Sequence, residues 1–224
     1  MGETIQITAS DGFVLDCYVA RPSGTPKGGI LVIQEIFGVN SHMRGVADGF
    51  AADGYLAYCP ALFDRQGKNF EVGYTPEDIA KGRDARAKVP WDASVMDCKA
   101  TVDAIRKAGV QRVGSVGYCF GGSVAWLTAT RGIGVTASVC YYGGAIAQFN
   151  GEQPKNPVMM HFGEKDHGIP MSDVEEIRKA HPDAEVFTYP AGHGFNCEQR
   201  GDYHADSAKL ARQRTMQFFA KHVG

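Results

Sequence analysis

Gly117-Tyr118-Cys119-Phe120-Gly121-Gly122 stands between an apolar run and a helical pattern, and no other segment restricts the possible folds so much. Val113 to Val116 read as a short buried strand, and Ser123 to Thr130 read as a helix. A strand that enters a helix through so sharp a turn holds one residue in a strained backbone conformation with its side chain exposed. Glycines two residues to either side remove the Cβ atoms that would obstruct neighbouring backbone. The segment has the Gly-x-nucleophile-x-Gly shape of a nucleophile elbow, with cysteine where serine is usual. The helix N-terminus just beyond Cys119 favours negative charge on a thiolate or an oxyanion.

The rest of the chain supplies the matching alternation. Thr4 to Thr8 and Val14 to Ala20 flank Ser10-Asp11-Gly12, a hairpin turn signal. Gly29 to Ile33 is a continuous apolar run, the pattern of a strand buried on both faces. A helical pattern over His42 to Ala52 and a strand over Tyr55 to Tyr58 follow. Thr75-Pro76-Glu77-Asp78 opens a helix with a capping residue, a first-turn proline and acids at the positive end. Trp91, Val95, Cys98, Val102 and Ile105 form one helical face that Gly109 ends. Strands are expected at Thr136 to Tyr142, Val158 to Phe162 and Glu185 to Tyr189, with helices at Ser172 to Ala180 and about Tyr203 to His222. This order predicts a single α/β domain over residues 1–224: a mostly parallel sheet with an N-terminal antiparallel hairpin and helices on both faces. The polar segment from Phe63 to Val89 fits either a substrate cap or a long crossover.

Composition excludes several classes. A net charge of −2 without a basic stretch argues against nucleic-acid or anionic-membrane partners. Met1 to Gln6 carries no apolar signal core, Gln6 breaks a myristoylation pattern, and no apolar run reaches the roughly 20 residues of a membrane span. The six cysteines contain no Cys-x-x-Cys, so neither a disulfide framework nor a zinc site is expected. An exposed nucleophilic thiol fits the reducing cytoplasm.

A cysteine nucleophile needs a base, and the base needs a group that fixes its tautomer. In α/β sheets such groups sit on loops at the carboxyl ends of strands. Gly163 to Pro170 and Ala191 to Phe195 are two such loops, and they hold Asp166 and His193. The chain order Cys119, Asp166, His193 is that of an α/β-hydrolase fold. His161, His167 and His204 sit too differently to share a metal ion. Ser115 lies inside its strand and Ser123 turns into the helix, so neither replaces Cys119.

Along nearly its whole length the chain resembles the dienelactone hydrolases, or carboxymethylenebutenolidases. The resemblance rests on Gln34-Glu35-Ile36-Phe37-Gly38, Gly117 to Gly122, Tyr141-Tyr142-Gly143, Gly163-x-x-Asp166 with Ile169-Pro170, and Gly192-His193-Gly194-Phe195. It implies cleavage of a small-molecule ester or enol-lactone through a cysteinyl ester, without metal or organic cofactor, in a monomer or small homo-oligomer. Cys119 is then the nucleophile, His193 base and acid, Asp166 its orienting carboxylate, and Glu35 the glutamate that holds the resting thiol. Backbone N–H groups of Ile36 and Phe120 form the oxyanion hole, and Phe37, Tyr142 and Phe195 line the pocket. The family arginine four residues after the histidine is Cys197 here, with Arg200 the nearest guanidinium. A second family arginine should lie near Lys81 to Arg86, with Arg83 the best candidate and Arg86 the alternative. Without either clamp a neutral ester or another lactone fits better than the dienelactone carboxylate. The runner-up is hydrolysis of other activated esters, phosphotriesters included, by the same Cys119. A thiol sensor is the rival from outside catalysis, but it has no use for Asp166 and His193.

Overall fold

In the computed structural model, which describes residues 2–224, β1 (Glu3–Thr8) and β2 (Val14–Ala20) pair antiparallel from Glu3↔Val19 to Thr8↔Val14. The hairpin closes through Gly12 at φ +84°. The chain continues through β3 (Gly29–Ile33), α1 (Ser41–Ala52), β4 (Leu56–Pro60), α2 (Pro76–Lys88) and α3 (Trp91–Lys107). The second half is β5 (Val113–Tyr118), α4 (Phe120–Thr130), β6 (Ala137–Tyr141), β7 (Val158–Gly163), α5 (Met171–Ala180), β8 (Glu185–Tyr189) and α6 (Ala205–His222). One sheet holds all eight strands in the order β1-β2-β4-β3-β5-β6-β7-β8, antiparallel from β1 to β4 and parallel from there on. The expected α/β-hydrolase architecture is therefore present. β8 departs from an apolar strand: it is the sheet edge, and only Tyr189 in it is buried.

Every residue of β3 to β7 is buried, as continuous apolar runs require when helices cover both faces. Two adjacent residues of β5 identify those faces. A Cβ on Gly114 would fall 2.7 Å from the Phe219 ring of α6, while the Ser115 hydroxyl lies 2.8 Å from Thr128 of α4. Successive strand residues point to opposite sides, so α6 and α4 cover opposite faces. α1 joins α6 through Phe50 and Phe219, whose ring centroids are 6.0 Å apart, and α3 lies beside α4.

The order β4-β3-β5 sets the site. The chain goes from β3 outward to β4, then crosses back over β3 to β5, so β3 and β5 are neighbours whose connections run in opposite directions. Loops leaving their carboxyl ends diverge and leave a crevice there. The segment from Phe63 to Val89 belongs to this return crossover. It begins in a 3-10 turn (Leu62–Arg65), and Gly38 bridges to Glu71. The Val72 N–H then donates to the Phe37 carbonyl at 3.1 Å. α2 follows with a capping box: the Thr75 hydroxyl accepts from the Asp78 N–H and the Asp78 carboxylate from the Thr75 N–H, both at 3.2 Å. The helix packs at Gly82 on the backbone of Ile36, so it braces the loop that follows β3.

Candidate active site

Cys119 sits between β5 and α4 at φ +55° and ψ −115°, outside the conformations that non-glycine residues normally adopt. The surrounding backbone holds it there. Its N–H donates to the Tyr141 carbonyl at 3.0 Å, and its own carbonyl accepts from the N–H groups of Gly122 and Ser123. A Cβ at Gly117 would lie 1.8 Å from the Gly121 carbonyl oxygen, and one at Gly121 would lie 2.3 Å from that of Ile33. These are backbone clashes that no side-chain rotation relieves. α4 begins at Phe120, three residues before the helical pattern at Ser123, which places the helix N-terminus directly after the thiol.

The loops after β7 and β8 bring in the other two residues. His193 Nε2 is 3.1 Å from Cys119 Sγ, and His193 Nδ1 is 2.6 Å from Asp166 Oδ2. Asp166 is buried, and its other oxygen accepts the Gly168 N–H at 2.8 Å, which fixes the carboxylate plane. Burial alone would lower the His193 pKa. The charge on Cys119 and the hydrogen bonds to Asp166 and Cys119 outweigh it and raise the value to about 10. Tyr142 supports the imidazole with its ring centroid 5.2 Å away, and Phe195 packs in turn against Tyr142 at 5.4 Å. Tyr142 has φ +37°, a second strained position that the sequence does not signal.

Glu35 leaves the end of β3 beside Cys119, because Ile33 pairs with Gly117 in the parallel register. It is fully buried, and its Oε1 accepts from Arg200 Nη1 at 3.3 Å. No hydrogen bond joins Glu35 to Cys119 among the described residues; the thiol faces His193 instead. Arg200 is itself mostly buried, and although burial opposes its charge, Glu35 and Cys119 raise its pKa. A guanidinium thus reaches the site from seven residues after the histidine, while Cys197 is buried below. Among the described residues the Ile36 and Phe120 N–H groups donate to no backbone carbonyl. His42 and Cys197 bring ligand atoms close to Glu35, a grouping that the spacing 35, 42, 197 does not announce.

The expected substrate contacts require correction. Phe37, Tyr142 and Phe195 are 1%, 0% and 0% exposed, so they offer almost no surface to a substrate and serve as packing under the site. Arg83 is exposed, whereas Arg86 lies 3.7 Å over the Trp91 ring and 4.9 Å over that of Phe120. Arg86 is therefore the arginine of α2 beside the elbow. Ser115 bonds to Thr128 and Ser138, and the Ser123 hydroxyl accepts the Ala145 N–H. His161 is held by Tyr189 and Thr215 in the core, where burial pushes its pKa down to about 3, and His204 caps α6.

The profile of the Dienelactone hydrolase family matches residues 15–223. A Synechocystis protein named "Putative carboxymethylenebutenolidase" is 36% identical over 221 residues, covering 90% of this chain and 89% of its own. A protein of the same name from Azospirillum brasilense is 35% identical over 234 residues, covering 98% and 99%. The crystal structure titled "Putative Dienelactone Hydrolase" from Klebsiella pneumoniae superposes with a TM-score of 0.85 at 31% identity, covering 99% and 100%. A dienelactone hydrolase-like promiscuous phosphotriesterase from metagenomic libraries, at 20% identity and a TM-score of 0.79, shares the fold. Among the described residues no helix is long and apolar enough to cross a membrane. A family match over residues 15–223, with relatives above 30% identity over nearly the whole chain, means that the chain belongs to the dienelactone hydrolase family and is a hydrolase of ester or lactone bonds.

Proposed function

We propose that the protein hydrolyses small esters or enol-lactones through a cysteinyl ester on Cys119. The observation that carries this reading is the continuous line Cys119 Sγ, His193 and Asp166, with contacts of 3.1 and 2.6 Å, centred on a strained elbow residue. With the thiol proton on His193 Nε2, the sulfur attacks the carbonyl carbon and forms a C–S bond. The carbonyl electron pair moves onto oxygen, where the N–H groups of Ile36 and Phe120 receive it. Collapse breaks the C–O bond, and the departing alkoxide or enolate takes the proton from Nε2. His193, now neutral, accepts a proton from the water that attacks the thioester. The second collapse expels Cys119 as thiolate beside the reprotonated imidazole and releases the acid.

Arg200 decides the substrate class in this reading. Its guanidinium lies against Glu35 within the site, so a substrate carboxylate can take the place of Glu35 on it. An anionic lactone is then favoured over a neutral ester despite the thiol at position 197. The test compares kcat/KM for a dienelactone carboxylate and a short neutral aryl ester in wild type, Cys119→Ala and Arg200→Gln. Cys119→Ala should be inactive on both, and full turnover there would remove the nucleophile assignment. Arg200→Gln should lose roughly 10- to 100-fold on the dienelactone, the worth of a hydrogen bond to a charged group, and less than about threefold on the aryl ester. Equal effects on both substrates would leave the neutral ester as the better reading. Cys119→Ser should be a poor enzyme, since the less acidic hydroxyl needs a stronger base than this site was built around.

A further inference from the structure

We propose that Glu35, His42 and Cys197 form a binding site for a divalent cation of the zinc class, directly behind the catalytic centre. Their ligand atoms all lie within 4.8 Å of one another, and all three residues are buried. Glu35 Oε2 and His42 Nε2 are buried without any hydrogen-bond partner. A buried acceptor left unsatisfied forfeits its hydration without compensation, so two together call for a shared partner.

The tautomer of His42 makes that partner a cation. Its Nδ1 lies 3.3 Å from the Glu198 carboxylate, which can only accept, so the ring proton resides on Nδ1. Nε2 is then an acceptor, as is the unpartnered Glu35 Oε2. A cation held by these two acceptors would satisfy both at once, and the nearby Cys197 sulfur can join it as a thiolate. A carboxylate held on the first nitrogen of a histidine whose second nitrogen ligates is a recurrent metal arrangement. One sulfur, one imidazole and one carboxylate suit zinc, or cobalt as its substitute, and not the all-oxygen preference of magnesium or calcium. Tetrahedral ligands at roughly 2.0–2.3 Å from zinc stand about 3.3–3.7 Å apart, so the side chains need close in by only about 1 Å. With Cys197 as thiolate, Glu35 and Glu198 ionised and Arg200 nearby, a divalent ion brings the group to zero net charge. On binding, the Cys197 proton passes to buffer as the sulfur–metal bond forms. A surface pocket of about 230 Å³ lined by His42, Asn196, Glu198 and Arg212 borders the group on the His42 side.

Occupancy would tie down the carboxylate that holds Arg200, so the ion should act as a reversible inhibitor; this consequence alone rests on the roles proposed for Glu35 and Arg200. Binding is measured in Cys119→Ala, which cannot ligate through the catalytic thiol and has no turnover to interpret. The protein is freed of metal by a chelator, titrated with Co2+ while the thiolate-to-cobalt charge-transfer band is followed, and then competed with Zn2+. One thiolate-ligated cobalt per chain is expected, with the band lost in Cys119→Ala/Cys197→Ser. In the same background His42→Gln should bind at least about tenfold more weakly, and Glu198→Gln about 10- to 100-fold more weakly, as measured for outer-shell partners. Glu198 is 59% exposed, so its replacement tests the site even where the buried substitutions unfold the chain by circular dichroism. Absence of the band in Cys119→Ala would overturn the proposal and leave bridging water as the partner of the two orphaned atoms. Persistence of the band in Cys197→Ser, or unchanged affinity in Glu198→Gln, would overturn it equally.

Discussion

Gly82→Ala should separate the folding of this chain from its catalysis. Gly82 lies within α2, where alanine is ordinarily favoured over glycine by about 0.8–1.0 kcal/mol. For a chain of this length that gain alone would raise Tm by roughly 2–4 °C. The new Cβ, however, would lie 2.5 Å from the Ile36 carbonyl oxygen and 3.2 Å from its carbon. The oxygen contact is about 0.9 Å short of ordinary van der Waals distance, which begins at 3.4 Å, and the opposing atom is backbone. Either α2 or residue 36 must move, and α2 is held by its capping box and by Arg86 on Trp91. The Ile36 N–H, the proposed oxyanion donor one Cα away from the displaced carbonyl, then moves out of the roughly 2.7–3.1 Å window such a donor needs. Full loss of one such donor costs about 10²–10³ in kcat, so partial displacement should cost roughly 10- to 100-fold. The assay is kcat and KM on an aryl ester, with Tm and the rate of Cys119 alkylation measured alongside. A fall in kcat with KM and alkylation unchanged is expected, with little or no gain in Tm. A kcat within twofold of wild type together with a higher Tm would refute both the brace at Ile36 and its role as a donor.

Two further outcomes test the site and the core. His193 is held protonated up to about pH 10 in the folded protein against an ordinary value of 6.5, so kcat/KM should fall above about pH 10 as the proton for the leaving group is lost. Because the folded value is the higher one, this proton stabilises the fold fully below pH 6.5, and the contribution disappears as pH rises through about 10. Asp166→Asn should move that limb downward, and an unmoved limb would show that another group sets it. Phe219→Ala removes a fully buried ring that α6 inserts between Phe50 and Gly114. It should cost about 3–5 kcal/mol, and Tm should fall by roughly 6–20 °C with kcat at 25 °C nearly unchanged. A drop below about 2 °C would mean that α6 does not close this face of the core.

What could be read from the sequence was what nearest neighbours along the chain enforce. The elbow was legible because Gly117 and Gly121 must lack Cβ atoms for the turn at Cys119 to close, and composition records that directly. The buried strands were legible because two-sided burial leaves unbroken apolar runs, and α2 because Thr75 and Asp78 cap it locally. Cys119, Asp166 and His193 could be picked out because each sits just past a strand in a glycine-marked loop, and parallel strands deliver such loops to one edge. Tertiary structure alone decided which of those loops touch. The excursion of β4 outside β3 brings the loop after β3 alongside the elbow, and the crossover back places Gly82 on Ile36 and Arg86, rather than Arg83, on Phe120. It also fixed Arg200 on Glu35 and gathered Glu35, His42 and Cys197 into one buried group. Contacts between residues so far apart in the chain carry no period or spacing, since they depend on where the strand order and helix packing set each loop down.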